Sequence, residues 1–393
     1  MIRRRFGKTG LDLSVLSLGA MRIPPEDGEE PAQHHDRVMA TLRSALDAGI
    51  NHIETARGYG PSEALIGQAL REGVIHRNEF VLTTKIGPND SADAFRRDLD
   101  DSMQRMGVDL VDNLDIHGIN LTEHVATCTR TEGCMAAVRR AMDEGIVGHI
   151  GFSTHGPLEV ILEAIGTDLF ESVNLHYYYF NQRNRPAVLR AAEMDMGVYI
   201  ISPTDKGGLL FDPPQRLIDL CAPYSPIELN ERWLLAQPEV HTLSLGAARP
   251  TDLDAHLPAA MRDASLCTEE RAAVDRLDGA TAVLGDTYCS FCHACLPCPE
   301  DVHIPEVLRL RNMALAYDMA GFGRYRYNML VRRDAATGER TGGASHWFPG
   351  AQGDFCTACG DCLPRCPLHL DVPALLADTH SILTGEARKR LWE

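Results

Sequence analysis

The chain has 393 residues, of which 44% are hydrophobic and 24% charged, and its formal net charge is −17. This composition is typical of a globular protein with one large and one smaller domain, and the acidic balance argues against nucleic acid as a partner. We expect a cytoplasmic protein without a membrane span, because no apolar run reaches ~18 residues and the basic start leads into no signal core.

The first 260 residues alternate short apolar segments with segments of helical periodicity. Eight strands are predicted at Ser14–Leu18, Ile50–Ile53, Phe80–Thr84, Leu110–Ile116, Val147–Phe152, Ser172–His176, Val198–Ile201 and His241–Leu245. The intervening helices are predicted at Asp36–Ala48, Ser62–Arg71, Ala92–Met106, Met135–Glu144, Leu158–Ile165, Pro186–Met196, Pro226–Ala236 and Thr251–Met261. This α/β alternation indicates a (β/α)8 TIM barrel. The alternative is an open doubly wound sheet, which usually carries a G-x-G-x-x-G turn after its first strand; Ser14–Met21 has none.

Proton-handling side chains follow three consecutive predicted strands. Glu54 and Tyr59 follow the second strand, Lys85 follows the third and His117 follows the fourth. In a barrel these strand ends meet at one rim, where active sites lie. Each residue alone is as well explained as a solvated or core side chain, but together they indicate an acid–base site.

Several motifs around these residues resemble the aldo/keto reductase family. The matching stretches are Arg5 to Leu11, Leu18 to Met21, Glu54 to Gly60 (compare D-T-A-x-x-Y-G), Thr84-Lys85, Asp112 to His117 (D-x-x-x-x-H) and Gly151 to His155 (G-x-S). The resemblance covers about residues 3–260. It implies an oxidoreductase that acts on a small carbonyl or alcohol substrate with NADP(H) or NAD(H).

The resemblance also implies roles for the rim residues. Tyr59 would supply the proton to the carbonyl oxygen, although a free phenol, with a pKa of about 10, is a weak acid at neutral pH. Lys85 would favour the phenolate and lower that pKa, and Glu54 would hold and balance the lysine. His117 would orient the carbonyl by a hydrogen bond.

Glu54 stands where the family has aspartate. Its additional methylene either displaces Lys85, which would weaken the hydride step, or is absorbed by a slightly different backbone path. The sequence leaves both alternatives open.

The implied nicotinamide site lies on later strand ends. Ser153, Thr154 and Asn174 occupy the places that hold the nicotinamide amide in the family. The loop after the seventh strand resembles the one that embraces the pyrophosphate, and its residues are Ser202, Gly207, Gly208 and Leu209. Arg249, close before a predicted helix, suits an adenosine phosphate and is equally well explained as a surface residue.

Eight of the twelve cysteines form two runs near the end of the chain. The first run is Cys289, Cys292, Cys295 and Cys298, and the second is Cys356, Cys359, Cys362 and Cys366; a proline follows each run. Such runs are typical of 4Fe-4S clusters, in which the fourth cysteine of each run binds the other cluster. Two structural zinc sites are the less favoured alternative, because zinc knuckles usually separate their cysteine pairs. The tail resembles the ferredoxin-type extension of one branch of the family.

The domains are therefore expected at residues 1–278, the barrel, and 279–393, an iron–sulfur domain. The tail is expected to begin with a linker at Asp278–Tyr288 and to be mostly helical. Its helices are predicted at Ile304–Ala320, Arg324–Arg333 and Pro373–Leu383, with a Gly-rich loop at Ala335–Gly353.

Two functions follow from the sequence. The first is an oxidoreductase of aldo/keto reductase type whose two clusters exchange electrons, with a ferredoxin or another electron-transfer protein as partner. The second is an electron-transfer or scaffold protein whose barrel has lost hydride transfer. A nicotinamide passes two electrons and a cluster one, so the clusters could be structural, could serve a concealed flavin, or could reduce the substrate directly.

Overall fold

The computed structural model describes residues 1–205, 208–262, 265–334, 336–343 and 350–385. By its internal contacts the chain divides into two compact units. The first comprises Met1–Lys206 and Asn230–Leu266, and the second comprises Gly207–Leu229 and Cys267–Glu393.

The described strands form two small hairpins and one barrel. They are β1 Arg3–Arg5, β2 Asp12–Ser14, β3 Leu16–Gly19, β4 His52–Glu54, β5 Val81–Ile86, β6 Val111–Ile116, β7 Val147–Ser153, β8 Ser172–Leu175, β9 Gly197–Ile201, β10 Thr242–Leu245, β11 Val331–Arg333 and β12 Arg340–Gly342. The eight strands β3 to β10 are parallel and close into a barrel, in which β10 pairs with both β9 and β3. The predicted (β/α)8 architecture is confirmed.

Helices follow the barrel strands and make up much of the second unit. They are α1 Pro31–Asp47, α2 Ser62–Arg71, α3 Ala92–Met106, α4 Thr122–Thr129, α5 Cys134–Asp143, α6 Leu158–Gly166, α7 Arg185–Glu193, α8 Gln215–Cys221, α9 Pro226–Leu235, α10 Leu257–Ala260, α11 Thr268–Ala280, α12 Ile304–Tyr317, α13 Ala320–Tyr327 and α14 Val372–Leu383.

Local signals fix several boundaries. For α3, the Ser91 side chain accepts the Ala94 N–H at 3.2 Å, and Gly107 ends the helix in the left-handed region with φ 67°. A serine cap and a terminal glycine satisfy the unpaired groups at the two helix ends. The predicted bounds of α2 and α3 agree with the structure.

The two faces of the barrel sheet differ in chemistry. Residues such as Leu18, Ile53 and Leu114 alternate along the strands and pack in one apolar core with the surrounding helices. The opposite face carries polar residues joined across strands, as in the bonds of Ser17 to His52 at 2.6 Å and of His52 to Thr83 at 2.8 Å. Alternation therefore places the polar side chains inside the barrel.

In the second unit, α12, α13 and α14 pack on one another, and β11 and β12 form a hairpin. The helix α12 is buried along almost its whole length and contains an ion pair between Arg309 and Glu306 at 2.6 Å. A charge so deeply buried is tolerated because its partner lies one turn away on the same helix.

Three predicted elements are corrected. Thr251–Met261 is not one helix: Pro250–Leu253 is a 3₁₀ turn and α10 is separate, because Pro258 lacks the N–H that a continuous helix needs. Arg324–Arg333 divides into the end of α13 and strand β11, whose partner β12 lies in the segment predicted as a loop. The predicted linker contains a 3₁₀ helix at Thr281–Thr287. Trp347 and other residues of the predicted loop lie outside the described residues.

Candidate active site

The four predicted rim residues lie together at the ends of β4, β5 and β6. Lys85 forms an ion pair with Glu54, and its Nζ lies 5.1 Å from the centre of the Tyr59 ring. The rings of Tyr59 and His117 meet edge to face, with their centres 5.7 Å apart. Lys85 is fully buried and Glu54 nearly so. The arrangement places a phenol, an ammonium and an imidazole around one point on the rim.

The Glu54 carboxylate contacts both Ser244 and Lys85 inside the barrel. One carboxylate oxygen accepts a hydrogen bond from Ser244 Oγ at 2.6 Å, while the other faces Lys85. Gly19, in register with Glu54, leaves this space open, because a Cβ there would lie 2.8 Å from Glu54 Oε1. Of the two alternatives left by the sequence, the geometry favours the one in which the additional methylene is absorbed.

Asp115 is a buried carboxylate beside this group that the sequence analysis did not single out. It is fully buried on β6, in register with Lys85 of β5. Tyr199 donates a hydrogen bond to it, and Asn113 Nδ2 donates another at 2.9 Å. The signal was the alternation of Asn113 and Asp115 along β6, which puts both on the inner face of the strand that leads to His117.

Burial dominates the electrostatics of the site. Burial lowers the pKa of Lys85 to about 8, with Asp115 acting in the opposite sense, and lowers the pKa of His117 to about 4. His117 is therefore neutral at pH 7 and able to donate one N–H. Burial raises the pKa of Asp115 to about 6.

The pKa of Tyr59 is also raised, first by burial and then by the negative charge of Asp115. The sequence predicted a lowered pKa under the influence of Lys85, and that prediction is wrong for this structure. Desolvation of a phenolate outweighs the nearby ammonium, whose charge is already balanced by carboxylates.

The residues predicted at the nicotinamide amide are buried at adjacent strand ends. Ser153 Oγ accepts the Gly118 N–H at 3.1 Å, and Thr154 Oγ1 donates to the carbonyl of Ile119 at 2.6 Å. Asn174 lies opposite Ser153 on β8 and donates to the carbonyl of Tyr199 at 3.3 Å. Ser153 and Asn174 thus lie side by side on the rim, whereas the Thr154 hydroxyl is bonded to the backbone of the loop after β6.

The predicted phosphate-binding residues are more scattered. Ser202 directly follows β9 and has a left-handed backbone, φ 50°. Gly208 and Leu209 belong to the second unit, and Gly207 lies outside the described residues. Arg249 pairs with Glu26, and the two residues line a surface cavity together with Arg37, which pairs with Glu29 at 2.6 Å.

The eight run cysteines line two cavities in the second unit. One is lined by Cys298 of the first run and three cysteines of the second: Cys356, Cys359 and Cys362. The other is lined by Cys366 of the second run and three of the first: Cys289, Cys292 and Cys295. The lining follows the predicted exchange of fourth cysteines.

The loops that carry these cysteines turn sharply. Phe291 and His293 in the first run, and Ala358 and Gly360 in the second, have φ values between 56° and 80°. In the second run the Ala358 N–H points at Cys356 Sγ, 3.4 Å away. Across the described ranges, no three His, Cys, Asp or Glu side chains are grouped as around a single metal ion. In the same part of the chain, every helix is too short or too polar to cross a membrane.

Comparison with known proteins places this geometry in context. The model of the aldo/keto reductase family matches residues 15–278. The chain is 24% identical over 308 residues to the uncharacterized oxidoreductase YqkF of Bacillus subtilis, covering 69% of this chain and 94% of that protein. It is 36% identical over 135 residues to the 6-dehydroglucose reductase of Novosphingobium aromaticivorans, covering 31% of this chain and 43% of that enzyme.

Among solved structures, the aldo-keto reductase AKR11C1 of Bacillus halodurans superposes with a TM-score of 0.58 at 22% identity. The superposition covers 70% of this chain and 96% of that one. At this identity the likeness establishes the fold alone.

Proposed function

Because the chain belongs to the aldo/keto reductase family and is an oxidoreductase, we propose that its barrel interconverts a small carbonyl compound and the corresponding alcohol through Tyr59, Lys85, His117 and Glu54. The observation that carries the proposal is the assembly of a buried lysine, its carboxylate partner, a phenol and a neutral imidazole at one rim of the barrel. Aldo/keto reductases use NAD(P)H, which supplies the hydride.

The residues of the chain supply the proton and the binding of the oxygen. As the carbonyl carbon receives hydride, negative charge develops on its oxygen, and the Tyr59 hydroxyl donates its proton there. His117, neutral at pH 7, donates its N–H to the same oxygen. Lys85 lies against the Tyr59 ring and stabilises the charge that the phenol acquires when it loses its proton.

The ion pair between Lys85 and Glu54 supports the enzymatic hypothesis over a scaffold with an inactive barrel. That second hypothesis depended on glutamate in place of aspartate and on the sparse phosphate-binding residues. The contacts of Glu54 with Lys85 and Ser244 argue that the substitution is accommodated.

The cofactor proposal rests on the residues of the barrel rim. Ser153 and Asn174 carry hydroxyl and amide groups at adjacent strand ends, which suits the amide of a nicotinamide. Arg249 is already held by Glu26, which supports NADH over NADPH, because the additional 2′-phosphate of NADPH would have to displace the Glu26 carboxylate from Arg249. Ser202, Gly208 and Leu209 keep their proposed pyrophosphate role from the resemblance.

We propose further that residues 279–393, which lie within the second unit, form a ferredoxin-type domain that holds two 4Fe-4S clusters. Four thiols around each of two cavities, with left-handed turns between them, support a polynuclear cluster at each. Such thiols must stay reduced for assembly, which supports a cytoplasmic location.

The substrate class is proposed as a small, polyhydroxylated carbonyl compound. The support is the similarity to an enzyme named for a dehydroglucose, over less than half of that enzyme. A panel of sugar aldehydes and ketoses, with apolar aldehydes as controls, tests the class.

The test of the barrel is reduction of this panel with NADH and NADPH by the protein and by Tyr59→Phe. Loss of the general acid is expected to lower kcat by about 10²–10⁴, with nicotinamide affinity nearly unchanged. Wild-type turnover in the phenylalanine variant would remove Tyr59 from the mechanism.

The test of the clusters is iron and sulfide analysis after anaerobic purification and reconstitution. About eight irons per chain are expected; stoichiometric zinc without iron would overturn the cluster proposal. Coupling is tested by adding oxidised nicotinamide to dithionite-reduced protein freed of dithionite. Nicotinamide reduction without an extractable flavin would show direct coupling, and its absence would assign the clusters to structure or to an external partner such as a ferredoxin.

A further inference from the structure

A second buried carboxylate faces the catalytic lysine. Asp115 on β6 is in register with Lys85 on β5, and its side chain is fully buried. The Tyr199 hydroxyl donates to one of its oxygens and Asn113 donates to the other. Asp115 is therefore held by a neighbour on its own strand, β6, and by Tyr199 of β9.

The barrel leaves room for this carboxylate. Gly151 on β7 is in register with Asp115, and a Cβ at Gly151 would lie 2.4 Å from Asp115 Oδ1. The same Cβ would lie 2.1 Å from Ser172 Oγ. A side chain at position 151 would expel the carboxylate, so the inner face is shaped around it.

Lys85 thus lies between two carboxylates, Glu54 on β4 and Asp115 on β6. We infer that Asp115 is a positioning residue that acts through Lys85 to hold Tyr59 in its protonated form, so that the site is set for carbonyl reduction. The inference rests on the proposed function, in which Tyr59 exchanges the proton.

The charges around Asp115 determine this effect. Asp115 interacts with Lys85 from β5, Tyr59 from the loop after β4 and Tyr199 from β9. Lys85 in turn faces Glu54 and His52 from β4 and His117 after β6. Burial lowers the pKa of His52 to about 3 and of His117 to about 4, so both are neutral at pH 7.

One ammonium and two carboxylates then remain beside the phenol. If Glu54 were the single carboxylate, it would neutralise Lys85, and a Tyr59 phenolate would be the only net charge of the site. With Asp115 ionised, a phenolate adds to a net negative charge, which is unfavourable in a buried site.

The two directions of the reaction use different forms of Tyr59. In reduction, hydride reaches the carbonyl carbon and the phenol gives its proton to the oxygen. In oxidation, the phenolate takes the hydroxyl proton while hydride leaves the carbon for the oxidised nicotinamide. A protonated Tyr59 therefore serves reduction and delays oxidation until high pH.

The test is the pH profile of both directions in Asp115→Asn. Removing one negative charge is expected to lower the midpoint of alcohol oxidation by about one pH unit, hence to raise oxidation about tenfold at neutral pH. Reduction at the same pH is expected to change by no more than about twofold, because Tyr59 stays protonated. An unmoved midpoint, or an equal loss in both directions, would overturn the inference.

Two variants guard against a merely structural effect. Tyr199→Phe removes only the hydroxyl that stabilises the Asp115 carboxylate, so it is expected to shift the midpoint in the same direction by less, and to add nothing in the Asp115→Asn background. Asp112→Asn makes the same chemical change at the start of the same strand, where Asp112 pairs with Arg77, and is expected to leave the midpoint in place.

A titration without substrate separates this inference from the proposed function. The ultraviolet tyrosinate signal that is lost in Tyr59→Phe is followed in rapid pH jumps, before alkaline unfolding. It is expected to begin about one pH unit lower in Asp115→Asn. If no carbonyl substrate is turned over, the proposed function fails while this titration still decides the role of Asp115; an identical titration in both proteins refutes it.

Discussion

The barrel interior and the cysteine loops both assemble reactive side chains, but from different distances along the chain. Glu54 and Lys85 of the barrel are brought together by strand register, which an apolar core of helices and strands enforces. The cysteines of each run are three or four positions apart, and tight turns between them orient the thiols. The geometry of the barrel site therefore depends on the whole fold. The geometry of the cysteine runs depends on local spacing and on the proposed clusters.

This difference concerns stability as well as geometry. The barrel core surrounds its polar interior with buried side chains from many elements. In the second unit, Ile304 of α12 lines both cysteine cavities, and Val372 and Leu376 of α14 each line one. We therefore expect the bound group to complete the core there, whereas the barrel is complete without a ligand.

The largest effect is expected from removing the two proposed clusters. Chelation under anaerobic conditions should abolish hydrogen-exchange protection of α12 and α14 and leave β3 to β10 protected, because ligand binding energy is folding energy for such sites. Full protection of α12 in the iron-free protein would show that this region is as independent of a bound group as the barrel.

A matched pair of cysteine variants sharpens this result. Cys359→Ser removes a thiol that lines one cavity and should lower the iron content by about half. Cys221→Ser removes a buried thiol outside the runs and should leave the iron content unchanged.

Acid should affect the barrel through its buried histidine. The folded pKa of His52 is about 3, below that of the unfolded chain, so the unfolded state binds the proton first and stability falls as pH drops below about 6.5. At about pH 4 the loss from this group is about 3 kcal/mol. In His52→Gln, denaturant unfolding should show a shallower decline over this range; an equal decline would assign the acid sensitivity elsewhere.

These two regions also explain how much the sequence could predict. The strands followed from short apolar segments that alternate with helical ones, and the four rim residues followed from their positions after the predicted strands. The register of the barrel then brings Glu54, Lys85 and His117 to one end. The grouping of the cysteines followed from spacing. Each of these signals lies within a short stretch of sequence, and any parallel barrel brings the strand ends together.

What the sequence could not supply depended on distant partners. Asp115 acquires its environment from Tyr199, 84 positions away, and Glu54 acquires its second contact from Ser244, 190 positions away. The raised pKa of Tyr59 results from burial, which a motif does not report. The hairpin of β11 and β12 was missed because Val331 continues a helical periodicity until its strand partner is known.

A smaller effect is expected at Glu54, where the two contacts of one carboxylate can be separated. Glu54→Asp shortens the side chain by a methylene and cannot serve Ser244 and Lys85 equally, so kcat should fall about tenfold. Ser244→Ala removes one neutral donor to a carboxylate and should cost about threefold. If Glu54→Asp is as active as the wild type, the contact with Ser244 has no part in placing Lys85.

The smallest effect is expected at Arg249, because its side chain is exposed and pairs with the exposed Glu26. Glu26→Gln releases the guanidinium, and the affinity for NADPH relative to NADH should rise by a few fold, since an exposed ion pair is worth about 1 kcal/mol or less. Calorimetry with both nucleotides measures the ratio. Glu193→Gln, which releases Arg190 from a similarly exposed pair at 2.9 Å, is the matched control and should leave the ratio unchanged. An unchanged ratio in Glu26→Gln would show that Arg249 does not meet the adenosine phosphate, and the preference would then have to be set by residues of the phosphate loop after β9.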